Sequence, residues 1–181
     1  MVRVLLLLLM SFAFAEAGAE TYLDRGAFLR HAFHGQAPAA EILWLSPQDR
    51  HQATVILGHP YAGLRVRYWL RNGRSAWILD EIGKDKPITI GLVIEANHIV
   101  DLRILAFRES RGGEVRYPFF TDQFRGLGLQ SDQRLDGMVD GITGATLSVR
   151  AVKRIANFAL YLERRHIEGT LVNAAAPSTT R

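Results

Sequence analysis

Residues 64–107 contain two pairs of apolar-rich segments, and each pair is separated by a turn sequence. In the first pair, residues 64–70 alternate and end at Asn72-Gly73, a dipeptide typical of a two-residue hairpin turn, and residues 75–81 return. The second pair is rich in Ile, Val and Leu and turns at Ala96-Asn97-His98. The predicted strands are 64–70, 75–81, 88–95 and 99–107. The chain is therefore predicted to be α+β, with an antiparallel sheet built from two β-hairpins and backed by helices.

Two helices are predicted before this sheet. Residues 21–34 space their apolar side chains near a helical period, with Asp24 as N-cap and an end around Gly35. A second helix is predicted over 47–57, because start and stop signals bracket it. These signals are Ser46 as N-cap, Pro47 at the first helical position, Asp49 in a capping-box variant, and Gly58 as the stop.

The C-terminal half is predicted to be a glycine-rich loop followed by an amphipathic helix. The loop covers 108–139 and includes a short helical turn at 120–125, and the helix then runs to about His166. Residues 169–181 are rich in small and polar residues and are predicted to form a flexible tail. This divides the exported chain into an N-terminal helical segment at 20–62, one domain at 63–168, and the tail.

The N-terminus has the pattern of a secretory signal peptide. Arg3 precedes an apolar run over residues 4–15, which is too short for a bilayer that needs about 20 residues. Small residues then offer cleavage after Ala15, Ala17 or Ala19. Residues 1–19 are therefore predicted to be a cleaved signal, leaving a periplasmic protein without a transmembrane segment. An uncleaved N-terminal anchor is the alternative.

Composition excludes several classes of chemistry. The chain has no cysteine, which rules out disulfides, iron–sulfur clusters and thiol nucleophiles. Its formal charge of +4 suits nucleic acid, anionic lipid or an acidic protein equally well. Export from the cytoplasm makes nucleic acid an unexpected partner.

No ordinary catalytic centre is visible either. His31 and His34 lie one helical turn apart, but no third metal ligand stands near them in sequence, so surface histidines are the favoured interpretation. The chain lacks a Gly-x-Ser-x-Gly elbow and a P-loop, and Gly126-Leu127-Gly128 is only a fragment of a dinucleotide fingerprint. We expect no catalytic residue and no metal site.

The stretch DGITGATLS, at 140–148, allows two interpretations. It is a plausible helix start, with Thr143 as N-cap and small residues in the first turn. Alternatively, its glycines let the backbone approach a ligand, and Thr146 lies where unpaired N–H groups and the positive helix end favour a phosphate. Its hydroxyl could then be esterified by that phosphate.

This stretch resembles the attachment motif of the FMN-binding domain family, whose flavin is linked through its phosphate to a threonine. The family pattern Asp-x-x-Ser/Thr-Gly-Ala-Ser/Thr is matched by Asp140, Thr143, Gly144, Ala145 and Thr146. The family occurs in flavin subunits of the Rnf and sodium-pumping NADH:quinone oxidoreductase complexes.

The resemblance extends from about Leu64 to Leu162. Gln123-Phe124-x-Gly126 resembles the family's Gln-Phe-x-Gly, and residues 109–114 resemble its Glu-Thr-Pro-Gly-Leu-Gly segment. In that segment the chain departs from the family at three positions. Arg111 replaces the proline, Gly113 the leucine and Glu114 the final glycine.

The resemblance implies FMN held covalently on Thr146, transferred from FAD by a flavin transferase that uses a divalent cation. Asp140 would assist the transfer or hold the motif's geometry, and Gly141, Gly144 and Ala145 would make room for the phosphate and ribityl chain. The other cofactor-binding residues implied in the motif are Thr143, Leu147 and Ser148. The implied ring-lining residues are Glu109, Ser110, Tyr117 and Phe124. Phe124 as a core residue and Glu109 as a solvated charge are the alternatives.

The resemblance thus predicts an electron-transfer flavoprotein rather than a stand-alone enzyme. Its partners would be membrane or periplasmic redox proteins. The alternatives are a small flavin-dependent reductase of a soluble substrate and a non-redox accessory module whose motif is only a helix cap.

Overall fold

The computed structural model describes residues 20–175, and side chains up to residue 167. The predicted signal peptide and residues 176–181 lie outside this part of the chain. The strands are β1 Glu20–Thr21, β2 Ala40–Trp44, β3 Arg65–Arg71, β4 Arg74–Ile82, β5 Pro87–Glu95 and β6 His98–Phe107. The helices are α1 Arg25–Ala32, α2 Pro47–Leu57, α3 Pro118–Thr121 and α4 Thr146–Ala175, with 3₁₀ turns at Gly113–Arg116 and Asp122–Phe124.

The strands form one antiparallel sheet in the order β1-β6-β5-β4-β3-β2. This confirms the α+β prediction and both hairpins, β3–β4 and β5–β6. At the first turn Asn72 and Gly73 both have positive φ, of 53° and 74°. Two positive φ values are what a type I′ turn requires, and its twist matches that of the flanking strands.

Both edge strands come from the N-terminal segment, which the sequence had predicted to be helical. Strand β1 pairs Glu20 with Phe107, and β2 pairs Ala40 with Trp69. The helical prediction for this segment is therefore incomplete. Strand β2 was not predicted because its sequence lacks the alternation of apolar and polar residues that is typical of a half-buried strand. In the structure its apolar residues Ile42 and Trp44 are exposed.

The helices cover the two faces of the sheet unequally. On one face, α2 and α4 pack over a large core that includes Trp77, Ile90 and Phe158. On the other face, α1 covers a smaller core, in which Phe28 lies directly on Gly91. A Cβ at Gly91 would stand 2.7 Å from the Phe28 ring, so this close packing of α1 requires glycine.

The predicted helix ends are largely confirmed. Asp24 accepts a hydrogen bond from the Ala27 N–H (2.9 Å), Ser46 forms the capping box with Asp49, and Gly58 ends α2 with a φ of 78°. Helix α4 continues to Ala175, beyond the predicted end near His166. Across residues 20–175, no helix combines the length and apolarity needed to span a membrane.

Candidate functional site

The motif at 140–148 folds as a tight turn followed directly by the first turn of α4. The Ala145 N–H donates to the Ile142 carbonyl (3.0 Å), and Gly144 has a φ of 82°, as position three of a type II turn requires. Helix α4 begins at Thr146, and the Val149 N–H donates to the Ala145 carbonyl (2.9 Å). The prediction of Thr143 as N-cap is therefore wrong, because the glycine turn separates it from the helix and places Ala145 at the cap position.

The start of α4 has the properties of an anion site. The N–H groups of Thr146, Leu147 and Ser148 lie in the first turn, where no intrahelical acceptor exists. Ala145 has no side-chain oxygen that could cap them. Thr146 itself is exposed, so its hydroxyl stands at the positive end of a long helix.

Thr146 lies in the wall of a cavity of about 280 Å³. The lining residues are Lys84, Glu109, Arg111, Gly144, Ala145, Thr146, Leu147 and Ser148. Two of these are cations that the sequence had not placed in the site. Lys84 comes from the β4–β5 turn, and Arg111 is one of the departures from the family segment. The fold brings these two residues, which are distant from Thr146 in sequence, to the same cavity.

Glu109 shares this cavity, but its carboxylate is engaged by the β4–β5 turn. Its Oε1 accepts hydrogen bonds from the N–H groups of Lys84 (2.6 Å), Asp85 (2.6 Å) and Lys86 (2.8 Å). Burial alone would raise the pKa of Glu109, but these three donors outweigh it and hold the pKa below its usual value. Glu109 is therefore neither a freely solvated charge nor a free acid or base, and it fixes the turn that carries Lys84.

Ser148 lies beneath the loop that carries Arg111. Its side chain is buried, and its hydroxyl lies against Gly112, which has a φ of 86°. A Cβ at Gly112 would clash with Ser148 Oγ. The loop can approach the first turn of α4 this closely only because residue 112 is glycine.

We expect Gly112→Ala to destabilise the protein more than Gly144→Ala. Both glycines have positive φ, which costs an alanine about 1–3 kcal/mol. Only Gly112 adds a clash, since a Cβ at Gly144 would meet nothing within 4 Å. Urea denaturation checks the difference, and Gly112→Ala/Ser148→Ala should recover part of it. Equal losses for the two single variants would contradict the close approach.

Asp140 opens the motif with an exposed side chain, and its backbone is anchored. Its N–H donates to Gln123 Oε1 (2.7 Å), and Gln123 Nε2 donates to the Phe119 carbonyl (3.1 Å). Gln123 thus ties the motif to the α3 region. Gln123 belongs to the stretch Gln123-Phe124-x-Gly126, which resembles a family motif, but no role was predicted for it.

The other predicted ring-lining residues lie elsewhere. Phe124 is fully buried, and its ring makes a T-shaped contact with the Phe120 ring, which supports the core alternative for that residue. Tyr117 lines a different cavity, of about 480 Å³, and accepts a hydrogen bond from Arg116 Nη2 (2.8 Å). Ser110 is exposed and lines neither cavity. Glu109 is therefore the one predicted ring-lining residue that the fold brings beside Thr146.

The histidine pair considered in the sequence does not form a common site. His31 Nε2 lies 3.1 Å from Asp101 Oδ2, in a cluster with Arg103 and Arg125. In the described chain, no three of the His, Asp and Glu side chains group in a way that could hold a metal ion.

Comparison with protein families identifies the segment that carries this cavity. Residues 83–161 match the model of the FMN-binding domain. These residues are an FMN-binding domain. The chain is therefore a flavin-binding protein. The match lies inside the predicted domain at 63–168 and includes Lys84, Arg111 and the whole 140–148 motif. No curated protein matches the chain.

The cavity of the FMN-binding domain fits the phosphate end of FMN. Free N–H groups at the start of α4 can donate to phosphate oxygens, and Lys84 and Arg111 supply positive charge. Nothing lies within 4 Å of where a Cβ would stand on Gly141 or Gly144, so the motif leaves open space beside the helix end.

Proposed function

We propose that this protein carries FMN covalently on Thr146 through a phosphoester bond and relays electrons between redox partners in the periplasm. The observation that carries the proposal is the exposed Thr146 hydroxyl at the start of α4, in the wall of a cavity that also holds Lys84 and Arg111. The FMN-binding domain supplies the cofactor's identity.

Attachment would be performed by a separate flavin transferase acting on the folded domain. Thr146 Oγ1 would form a bond to the FMN phosphorus of FAD while the pyrophosphate bond breaks, AMP leaves and the hydroxyl proton is released. Because Thr146 is exposed, this hydroxyl can be reached from outside. Asp140 is also exposed and has its backbone held by Gln123, which suits it to contact the transferase or to keep the motif in place.

The chain's own groups would then hold the phosphodiester. The N–H groups of Leu147 and Ser148 would donate to it, and the positive helix end would offset its charge. Lys84 and Arg111 would add two cations from separate loops. Glu109 would act indirectly, by fixing the turn on which Lys84 stands. When bound, FMN supplies one- and two-electron redox chemistry.

An electron carrier is favoured because the site is small. A cavity of about 280 Å³ lies just below the usual range for ligand pockets and leaves little room for a substrate beside a flavin. A covalent bond would also keep the cofactor in a compartment where lost flavin is not readily replaced. The predicted signal sequence supports that compartment.

A reductase is the second candidate, and one observation favours it. The cavity of about 480 Å³ beside Tyr117 is larger than the cavity at Thr146, and no motif residue lines it. Substrate-dependent turnover by the isolated flavoprotein would support this function. A carrier would instead exchange electrons with donors and dyes alone.

The proposal is tested by expressing the full chain with and without a flavin transferase and weighing the intact product. We expect a mass increase of FMN minus water only with the transferase, together with a reversible flavin spectrum. A colourless, unmodified product beside an active transferase would overturn covalent attachment. Flavin that leaves on denaturation would show non-covalent binding instead.

A further inference from the structure

The outer face of strands β2 and β3 is only partly covered by α1 and leaves a surface that the flavin site does not use. We call it the arginine–tryptophan face, and it consists of Arg25, Ile42, Trp44, Arg65, Arg67 and Trp69. Cross-strand register places Ile42 opposite Arg67 and Trp44 opposite Arg65. A groove of about 290 Å³ runs between these strands and the start of α1.

This face is positively charged. The groove is lined by Arg25, Arg65 and Arg67 together with apolar side chains, and no carboxylate lines it. Asp24, which precedes Arg25 in the chain, caps α1, and Asp80 on the neighbouring strand β4 accepts a hydrogen bond from the Thr89 hydroxyl.

The same face exposes large apolar groups. Trp44 is 65% exposed and Ile42 is 44% exposed, although both stand on a regular strand. The Arg65 guanidinium lies 5.6 Å from the centre of the Trp44 ring, so charge and aromatic surface are presented together. Exposed apolar groups on a strand lower solubility unless something covers them.

We propose that the arginine–tryptophan face binds the surface of a bilayer containing anionic phospholipid. Tryptophan favours the interface between water and lipid, and arginine near an anionic surface strengthens binding about fivefold per residue. The inference does not depend on the flavin. Helix α4, which starts at the flavin motif, packs on the opposite face of the sheet, against Trp77.

Two other occupants fit this face less well. A second copy of the chain would bring arginines against arginines. A stable protein partner needs about 800 Å² and some 20–30 residues on each side, and this face has only six residues around a shallow groove. Binding to an anionic bilayer surface needs no such area, because each arginine near the surface adds separately to the attraction.

The test compares sedimentation of the purified protein with vesicles of phosphatidylcholine alone and with vesicles that also contain phosphatidylglycerol. We measure the ratio of the partition coefficient for the vesicles with phosphatidylglycerol to that for the vesicles of phosphatidylcholine alone, because an apolar anchor would bind both kinds of vesicle. The wild-type ratio should be high at low salt. It should fall about 25-fold in Arg65→Gln/Arg67→Gln but not in Arg50→Gln/Arg150→Gln, which removes the same charge from exposed sites on α2 and α4.

The contribution of the exposed Trp44 side chain to vesicle binding has a separate control. Trp44→Ala should weaken binding, whereas Val55→Ala, at an equally exposed position (65%) on α2, should not. Circular dichroism checks that each variant is folded. If the ratio fell equally in both arginine double variants, binding would depend only on net charge, and this would overturn the proposal. So would a ratio near one, self-association without vesicles, or binding that needs an added acidic protein.

Discussion

Replacing Thr146 by valine is expected to abolish covalent flavin, whereas Thr143→Val should retain it. Both threonines belong to the same motif and both are exposed. Only Thr146 stands at the first position of α4, in the wall of the basic cavity. Valine keeps the shape of threonine but removes the oxygen that would bond to phosphorus. After coexpression with a flavin transferase, intact mass should show no adduct for Thr146→Val.

One further variant and a stability measurement separate chemistry from folding. Thr146→Ser keeps a hydroxyl at this position and should remain modified, in lower yield if the methyl group helps to orient the oxygen. Melting temperatures measured without transferase should be similar for Thr146→Val and the wild type, because the side chain is exposed. An adduct on Thr146→Val would place the linkage elsewhere, and its absence from Thr143→Val in a folded protein would implicate the turn itself.

The sequence predicted the parts of the site that are local in the chain. The hairpins, the caps at Asp24 and Ser46, and a helix after the motif all depend on neighbouring residues, and the structure contains them. The exact helix start was wrong, since Gly144 adopts positive φ and Thr143 lies inside the turn that precedes the helix. Small residues alone do not distinguish a cap from a turn that precedes one.

The parts that were missed depend on contacts between distant segments. Lys84 reaches the cavity because three N–H groups of its turn bind Glu109, and Arg111 does so because Gly112 packs on Ser148. Strand β2 forms because β3 offers it an edge, although its own side chains stay exposed. No periodicity within one segment carries this information.

Asp49→Ala is expected to cause the largest loss of stability, about 3 kcal/mol. The sequence predicted Asp49 as part of a cap, and its Oδ2 does accept from the Ser46 N–H (2.9 Å) and hydroxyl (2.7 Å). Its Oδ1 also accepts from the Tyr161 hydroxyl (2.7 Å) and Arg165 Nε (3.0 Å), which joins α2 to α4. Alanine would remove this acceptor from the buried Tyr161 hydroxyl and from Arg165, whose side chain is 40% exposed. Urea denaturation at neutral pH measures the loss.

Asp132→Ala is the control, because Asp132 also binds an arginine, Arg134 (2.7 Å), but at the surface. Water can replace that carboxylate, so the melting temperature should hardly change. A comparable loss in both variants would show that the position of Asp49 between two helices is not what matters.

The pH dependence of the free energy of unfolding provides the most specific test of the Asp49 prediction. Burial raises the pKa of Asp49, but hydrogen bonds from Ser46, Tyr161 and Arg165 outweigh it and lower the pKa to about 2. A carboxyl whose folded pKa lies below its unfolded value of 3.8 stabilises the protein above that value, here by about 2 kcal/mol. This contribution is lost as the pH falls from about 4 to 2. The difference between wild type and Asp49→Ala should therefore be constant from pH 7 to 5 and shrink below 4, and a difference unchanged at pH 2 would contradict it.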